Sequence, residues 1–133
     1  MKLSSRSEYA LLALVYIARS KESSYLKAAD IAQAQGIPLK FLEQILLALK
    51  RSSYLKSSKG QHGGYKLLKE ASRISVAEII RLFDGALAPT VSVSRYFYES
   101  TPIEKEKKIV RFFKEIRDDI ARRMEKTTIA DLL

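Results

Sequence analysis

Three glycines fall within five positions of this chain, in residues 58–69, SKGQHGGYKLLK, and only two more occur in all 133 residues. Glycine tolerates left-handed and crowded backbone that other residues avoid, so these five positions punctuate whatever fold the chain adopts. A glycine cluster beside lysines has three physical readings: a phosphate-binding loop, a flexible linker, or the tip of a β-hairpin. A phosphate loop needs G-x-x-x-x-G-K-[S/T] between a strand and a helix. Here Gly60 is followed by QHGGYK, and a strand-like GYKLL comes next. The flanking runs YLKSS and GYKLL instead predict two short strands around a five-residue loop, Lys59 to Gly63.

Helical patterns surround the hairpin. Ser5 and Glu8 have capping-box spacing and predict a first helix to about residue 20, with Tyr9, Leu12, Ala13, Tyr16 and Ile17 on its inner face. A polar loop, Lys21 to Ser24, precedes a short second helix over 27–35, with Ile31 inward and Gly36 at its end. Pro38 sits where a third helix begins. Leu42, Ile45, Leu46 and Leu49 give that helix a buried stripe at i, i+3, i+4, i+7, and it runs to about residue 52. Ser75 caps a fourth helix, 76–84, ended by Gly85. Two short helices around a glycine turn form a helix-turn-helix, and the hairpin after them makes it winged. All five glycines then have a role, and agreement across levels supports the layout.

Residues 86–102, ALAPTVSVSRYFYESTP, read as a connector, with Tyr96, Phe97 and Tyr98 tucked against a core or a partner chain. A long helix follows over about 103–126. Ile109, Phe113, Ile116 and Ile120 repeat at gaps of four, three and four, a near-heptad stripe that Val110 and Phe112 widen. Such a stripe predicts a homodimer seam or packing within the chain. The expected fold is mainly α with a small β-hairpin: a winged helix-turn-helix domain (1–85), a connector (86–102), and a dimerisation helix with a C-terminal tail (103–133).

Charge is sorted along this layout. Residues 1–85 hold 14 Lys+Arg against 7 Asp+Glu, and residues 86–133 hold 10 against 8. Between residues 50 and 69, Lys50, Arg51, Lys56, Lys59, Lys66 and Lys69 occur with no acid among them. Cations concentrated on the end of the third helix and on the wing point to a polyanion, first of all double-stranded DNA. On the outward face of the third helix, Lys40, Glu43 and Gln44 project together near its N-terminal half. Gln pairs with the N6/N7 edge of adenine and Glu accepts from the cytosine amine. Glu43 alternatively pairs with Lys40 or Lys50 on the helix surface. Arg51, at the far end, joins the candidate contacts.

The chain has no cysteine, which excludes disulfides, thiol catalysis and thiolate metal sites. No membrane span is expected, since no apolar run approaches 18 residues. The start, MKLSSRSEYALLALVYIARS, resembles a signal peptide, but Glu8 interrupts it and no small-residue cleavage site follows Ala18. An enzyme is not expected: the lone histidine, His62, is on the hairpin tip with no acid near it in sequence.

The segments LSSRSEYALLAL, ADIAQAQGIPLKFLEQIL, LKSSKGQHGGYKLLKEASRISVAEIIRLFDG and TTIADLL together resemble the Rrf2 family of bacterial winged-helix transcription regulators. The resemblance implies a homodimer joined by the long helix, with the third helix in the major groove and the wing in the minor groove. It matches Glu43, Gln44 and, on the wing, Lys59 to DNA-contacting positions, with Lys40 at a neighbouring variable one. Gly60, His62 and Gly63 complete the expected wing contacts. The iron–sulfur branch of the family carries three cysteines in the connector. Here that segment is VSVSRYFYESTP, so the cluster-free branch is the match and no cofactor is expected. The function implied is a sequence-specific regulator, a repressor, in the bacterial cytoplasm at the nucleoid, with its effector or regulatory protein unspecified. The competing reading is a winged helix that binds RNA or another protein. RNA recognition favours exposed aromatics for stacking, and the wing has only Tyr65, expected to pack inward.

Overall fold

A computed structural model describes residues 1–20 and 24–133, so most of the loop expected at Lys21–Ser24 lies outside the described residues. Three helices come first: α1 (Ser5–Arg19), α2 (Ala28–Gln35) and α3 (Leu39–Arg51). The hairpin follows, β1 (Leu55–Ser58) and β2 (Gly64–Leu67), then α4 (Val76–Asp84) and the long α5 (Lys107–Lys126). Single 3₁₀ turns cover Ala71–Arg73, Val91–Val93, Pro102–Lys105 and Ala130–Leu132.

The elements form where local chemistry directs them. Gly36 ends α2 in a left-handed conformation, φ 66°, and Pro38 immediately precedes α3. The inner stripe of α3, Leu42, Ile45, Leu46 and Leu49, is fully buried. The strands pair antiparallel from Leu55↔Leu67 to Ser58↔Gly64, leaving the five-residue loop 59–63. β2 is also held on its other edge. Leu26 N–H donates to Tyr65 O (2.8 Å) and Tyr65 N–H to Leu26 O (2.7 Å), so the segment before α2 anchors the wing to the helical body.

α1 differs from expectation in two ways. Its cap is Ser4, whose hydroxyl accepts from Ser7 N–H (3.2 Å). Ser4 in turn donates from its hydroxyl and its N–H to the Asp84 carboxylate, a partner 80 residues away. Its fully buried face is Ser7, Ala10, Ala13, Leu14 and Ile17, which keeps Ala13 and Ile17 of the expected stripe but not Leu12. Small alanines let the surrounding elements approach the helix closely. Tyr9 and Tyr16 are half-buried against the core, and Leu12 is exposed.

One core joins α1, α2, α3, Leu55, Ile74, Ile79 and Ile129. A smaller one gathers Ala77, Ile80 and Leu87, with Met124 of α5 packed against it. Ile129 comes from the C-terminal tail. Val76 N–H donates to Thr127 O and Ile129 N–H to Ile74 O, both at 2.9 Å, which pins the tail beside the start of α4. The segment grouped by sequence with the long helix thus completes the core of the winged helix.

The connector also departs from expectation. Tyr96 is 68% exposed, and Phe97 and Tyr98 are exposed too, so within the chain none is tucked into a core. Val93 takes the inward place, with Ser92 and Ser94 buried beside it. Ser92 accepts from the Thr101 hydroxyl (2.7 Å), and Ser94 from Phe97 N–H (3.0 Å). Tyr96 instead lies 5.0 Å beneath the Arg81 guanidinium. The long helix starts at Lys107, not 103, because Pro102–Lys105 forms a separate turn.

Glu78 binds the wing base to α4. Its carboxylate accepts from Ser75 N–H (2.7 Å), the Tyr54 hydroxyl (3.2 Å) and Lys69 (3.1 Å). Burial, and then the Glu78 charge, push the Tyr54 phenol up to about 12. Burial also raises the Glu78 carboxyl, but the Ser75 N–H and Lys69 outweigh it and hold the group below its usual 4.5. A depressed carboxyl stabilises the fold above that usual value, and the contribution is lost as pH falls through the folded one. Glu78→Ala should therefore cost about 1 kcal/mol at pH 7, the worth of a helix cap. Urea unfolding at pH 7 and pH 3.5 should show the gap narrowing in acid; a constant gap would show that its charge contributes nothing.

Candidate nucleic-acid interface

With its inner stripe sealed, α3 presents the opposite face to solvent. Lys40, Glu43, Gln44 and Arg51 are all exposed. Among the described residues Glu43 forms no ion pair with Lys40 or Lys50. The sequence reading passed over Leu47. It stands on this same face at i, i+3, i+4, i+7 with Lys40, Glu43 and Gln44, and it is 39% exposed. Its hydrophobic character hid it among the inner leucines; the helical phase of the stripe separates it from them.

The wing tip is a compact loop. Gly60 takes φ 96°, and Gly63 N–H donates to Gly60 O (3.0 Å), closing the turn. Lys59, Gly60, Gln61 and His62 are exposed. Gly63 is not: it is buried under the loop, and a Cβ there would stand 2.3 Å from Ser58 O. Gly63 is therefore closely held by the loop's own backbone, and it lines a groove beside Gln61 and His62. His62 and Gln61 border a shallow groove of about 530 Å³ that also touches Tyr25, Lys27 and Asp30.

The basic window is less free than the sequence suggests. Lys69 pairs with Glu78 across 3.1 Å, and Lys66 lies 4.5 Å over the Tyr25 ring. Lys50, Arg51, Lys56 and Lys59 remain as its exposed cations. The acid that meets Lys69 is outside the window, where a local charge count does not look.

On α5 the only buried residue is Ala121. Ile109 is 42% exposed and Phe112 56%, while Phe113, Ile116 and Ile120 are half-buried. Phe112 and Phe113 meet edge to face at 5.2 Å. Packing within the chain thus covers the near-heptad stripe only in part.

Among the described residues no group of three His, Cys, Asp or Glu side chains is placed to hold a metal. No helix among them is long and apolar enough to cross a membrane.

The family model for Rrf2, described as an iron-dependent transcriptional regulator, matches residues 3–133. The regulator IscR of Escherichia coli is 38% identical over 90 residues, covering 68% of this chain and 56% of its own length. The chain spans about half the length of the curated relatives it matches most strongly. Among solved structures, CymR, the global cysteine regulator of B. subtilis, superposes with a TM-score of 0.79 at 26% identity, covering 99% of this chain and 95% of its own. IscR of T. potens gives 0.69 at 25% identity, covering 99% and 85%. These relatives are transcription regulators rather than enzymes. The iron in the family description does not fit the donors present, since the chain has no cysteine and its single histidine is on the wing tip.

Proposed function

The chain belongs to the Rrf2 family of transcriptional regulators, and on that premise we propose that it binds a palindromic operator in double-stranded DNA as a homodimer and represses by occupying it. The observation that carries this reading is the outward face of α3, where Lys40, Glu43 and Gln44 stand exposed over a fully packed inner stripe. A single helix fits the major groove, about 12 Å wide. Gln44 has the donor and acceptor that adenine N6 and N7 require, and Glu43 suits the cytosine amine. An unpaired carboxylate facing phosphate loses affinity unless it meets such a donor, which makes Glu43 selective. Lys40 and Arg51 serve the neighbouring base edges and phosphates. On the wing, Lys59 enters the minor groove, where A·T-rich segments carry enhanced negative potential, with Gly60 and His62 along the backbone.

The stripe of Ile109, Phe113, Ile116 and Ile120, exposed at Ile109 and half-buried at the other three, supplies the dimer seam together with the exposed Phe112. In this reading 1–85 and the returning tail bind DNA, 86–102 connects, and α5 pairs the protomers. Half-sites then lie about one helical turn apart. Replacing Phe113 and Ile116 together by glutamate should give a folded monomer in sedimentation velocity, with no preference for a palindrome over a half-site. A stable dimer from that variant would move the seam elsewhere.

Selection from random duplexes tests the readout. Glu43→Ala and Gln44→Ala should each recover an altered motif. Lys59→Ala should weaken binding to all sequences and lower the salt slope by about one. Mutants that recover the parent's motif would refute direct readout. Single-stranded RNA that outcompetes the duplex at equal salt would refute the DNA reading itself.

A further inference from the structure

The geometry points to Leu47 as a fourth base-reading residue, one that recognises the C5-methyl group of a thymine. This rests on the reading of α3 as the major-groove helix. About two turns of α3 present one outward line, Lys40, Glu43, Gln44 and Leu47, with Arg51 one turn beyond it. Each is charged or polar except Leu47. The fold has no use for that side chain: Leu42, Ile45, Leu46 and Leu49 already fill the inner stripe, and Leu47 is absent from both core clusters. Phe41, also exposed on α3, is different, because its ring packs edge-on against Tyr9 at 5.5 Å.

An apolar side chain amid a polar reading face needs an apolar counterpart. The floor of the major groove offers one such group, the thymine methyl; every other base-edge feature there is a hydrogen-bond donor or acceptor. Leu47 has nothing to offer those, and seating it against them would strand them unpaired. Leu47 lies one turn beyond Glu43 and Gln44. A rise of about 1.5 Å per residue puts it roughly 5 Å further along the helix, about one base step from the pair that Gln44 addresses. Leu47 would therefore extend the read sequence by one thymine per half-site, beyond what its polar neighbours specify.

The probe is the duplex that the parent protein itself selects from a random library. Each thymine is replaced in turn by deoxyuridine, which removes the methyl and leaves every hydrogen-bonding group. One position per half-site should lower the parent's affinity about fourfold, the worth of one buried methyl-sized group. For Leu47→Ala that same replacement should have no effect, whereas Leu47→Met, which keeps an apolar reach, should retain part of it. Gln44→Ala should keep the uracil penalty, since a different residue causes it. Thermal unfolding of Leu47→Ala should match the parent, because the side chain is outside the core. If the parent selects no duplex, the DNA reading itself fails. If it binds but no thymine shows the penalty, or Leu47→Ala shows it undiminished, the assignment of Leu47 is overturned while the DNA reading stands.

Discussion

Gly64→Ala should destabilise the protein by about 4 kcal/mol and release the wing from the helical body. Gly64 has φ 146°, and a Cβ built on it would stand 2.2 Å from Leu26 O and 2.5 Å from the adjoining carbonyl carbon. The backbone conformation costs about 1–3 kcal/mol for any residue with a side chain. Forcing a methyl group into packed atoms costs a similar amount. What it meets is main chain, and it is the main chain that holds Tyr65 to Leu26 through two hydrogen bonds. The easiest relief is to open that bridge. Hydrogen exchange should show the Leu26 and Tyr65 amides losing protection first, and the melting point should fall by at least 8 °C, scaled from the usual worth of 1 kcal/mol. Gly60→Ala is the internal comparison. Its φ is 96° but nothing lies within 4 Å of the added Cβ, so about 1 kcal/mol should be lost. Equal melting points for the two variants would contradict the close approach at Gly64.

Ile129→Ala should cost about 3 kcal/mol, as for a large buried aliphatic residue that leaves a cavity. Ile129 has no exposed surface and sits in the core with Leu14, Ile31 and Leu49. Because that core joins α1, α2 and α3, urea unfolding should shift as one transition rather than lose α5 alone. Leu133→Ala, at a position that is half exposed, should stay within about 0.5 kcal/mol of the parent. An Ile129→Ala variant as stable as the parent would mean that the tail is only laid on the surface.

What was legible in the chain is what local chemistry decides. The inner leucines of α3, the five-residue hairpin loop, Gly36 and Gly85 at helix ends and the Ser75 cap each depend on residues within a few positions of one another. The structure places them as the spacing predicts. What was not legible depends on distant partners. Ser4 rather than Ser5 caps α1 because Asp84 is there to orient it. Lys69 leaves the basic surface because Glu78, from a later helix, claims it. Gly63 admits no side chain because a Cβ there would meet the Ser58 carbonyl of the facing strand. Tyr9 and Tyr16 were taken for the core face of α1 because periodicity counts apolar residues without weighing how closely the other elements must approach. Alanine at positions 10 and 13 meets that demand better. In the candidate interface the same division holds. Lys40, Glu43 and Gln44 were visible as polar residues in phase, while Leu47, in the same phase, was masked by its own chemistry.

The seat of Ile129 also bears on when the molecule comes into being. Synthesis proceeds at roughly 5–20 residues per second, so Ile129 is made roughly 4–16 s after α3 is complete. Until then the core of the first three helices has an open place where that side chain belongs. A nascent chain therefore completes the core that seats α3 only after α5 has been made. In the reading proposed above, a chain still on the ribosome would lack the finished support for α3, and the released form would carry α5 from the outset.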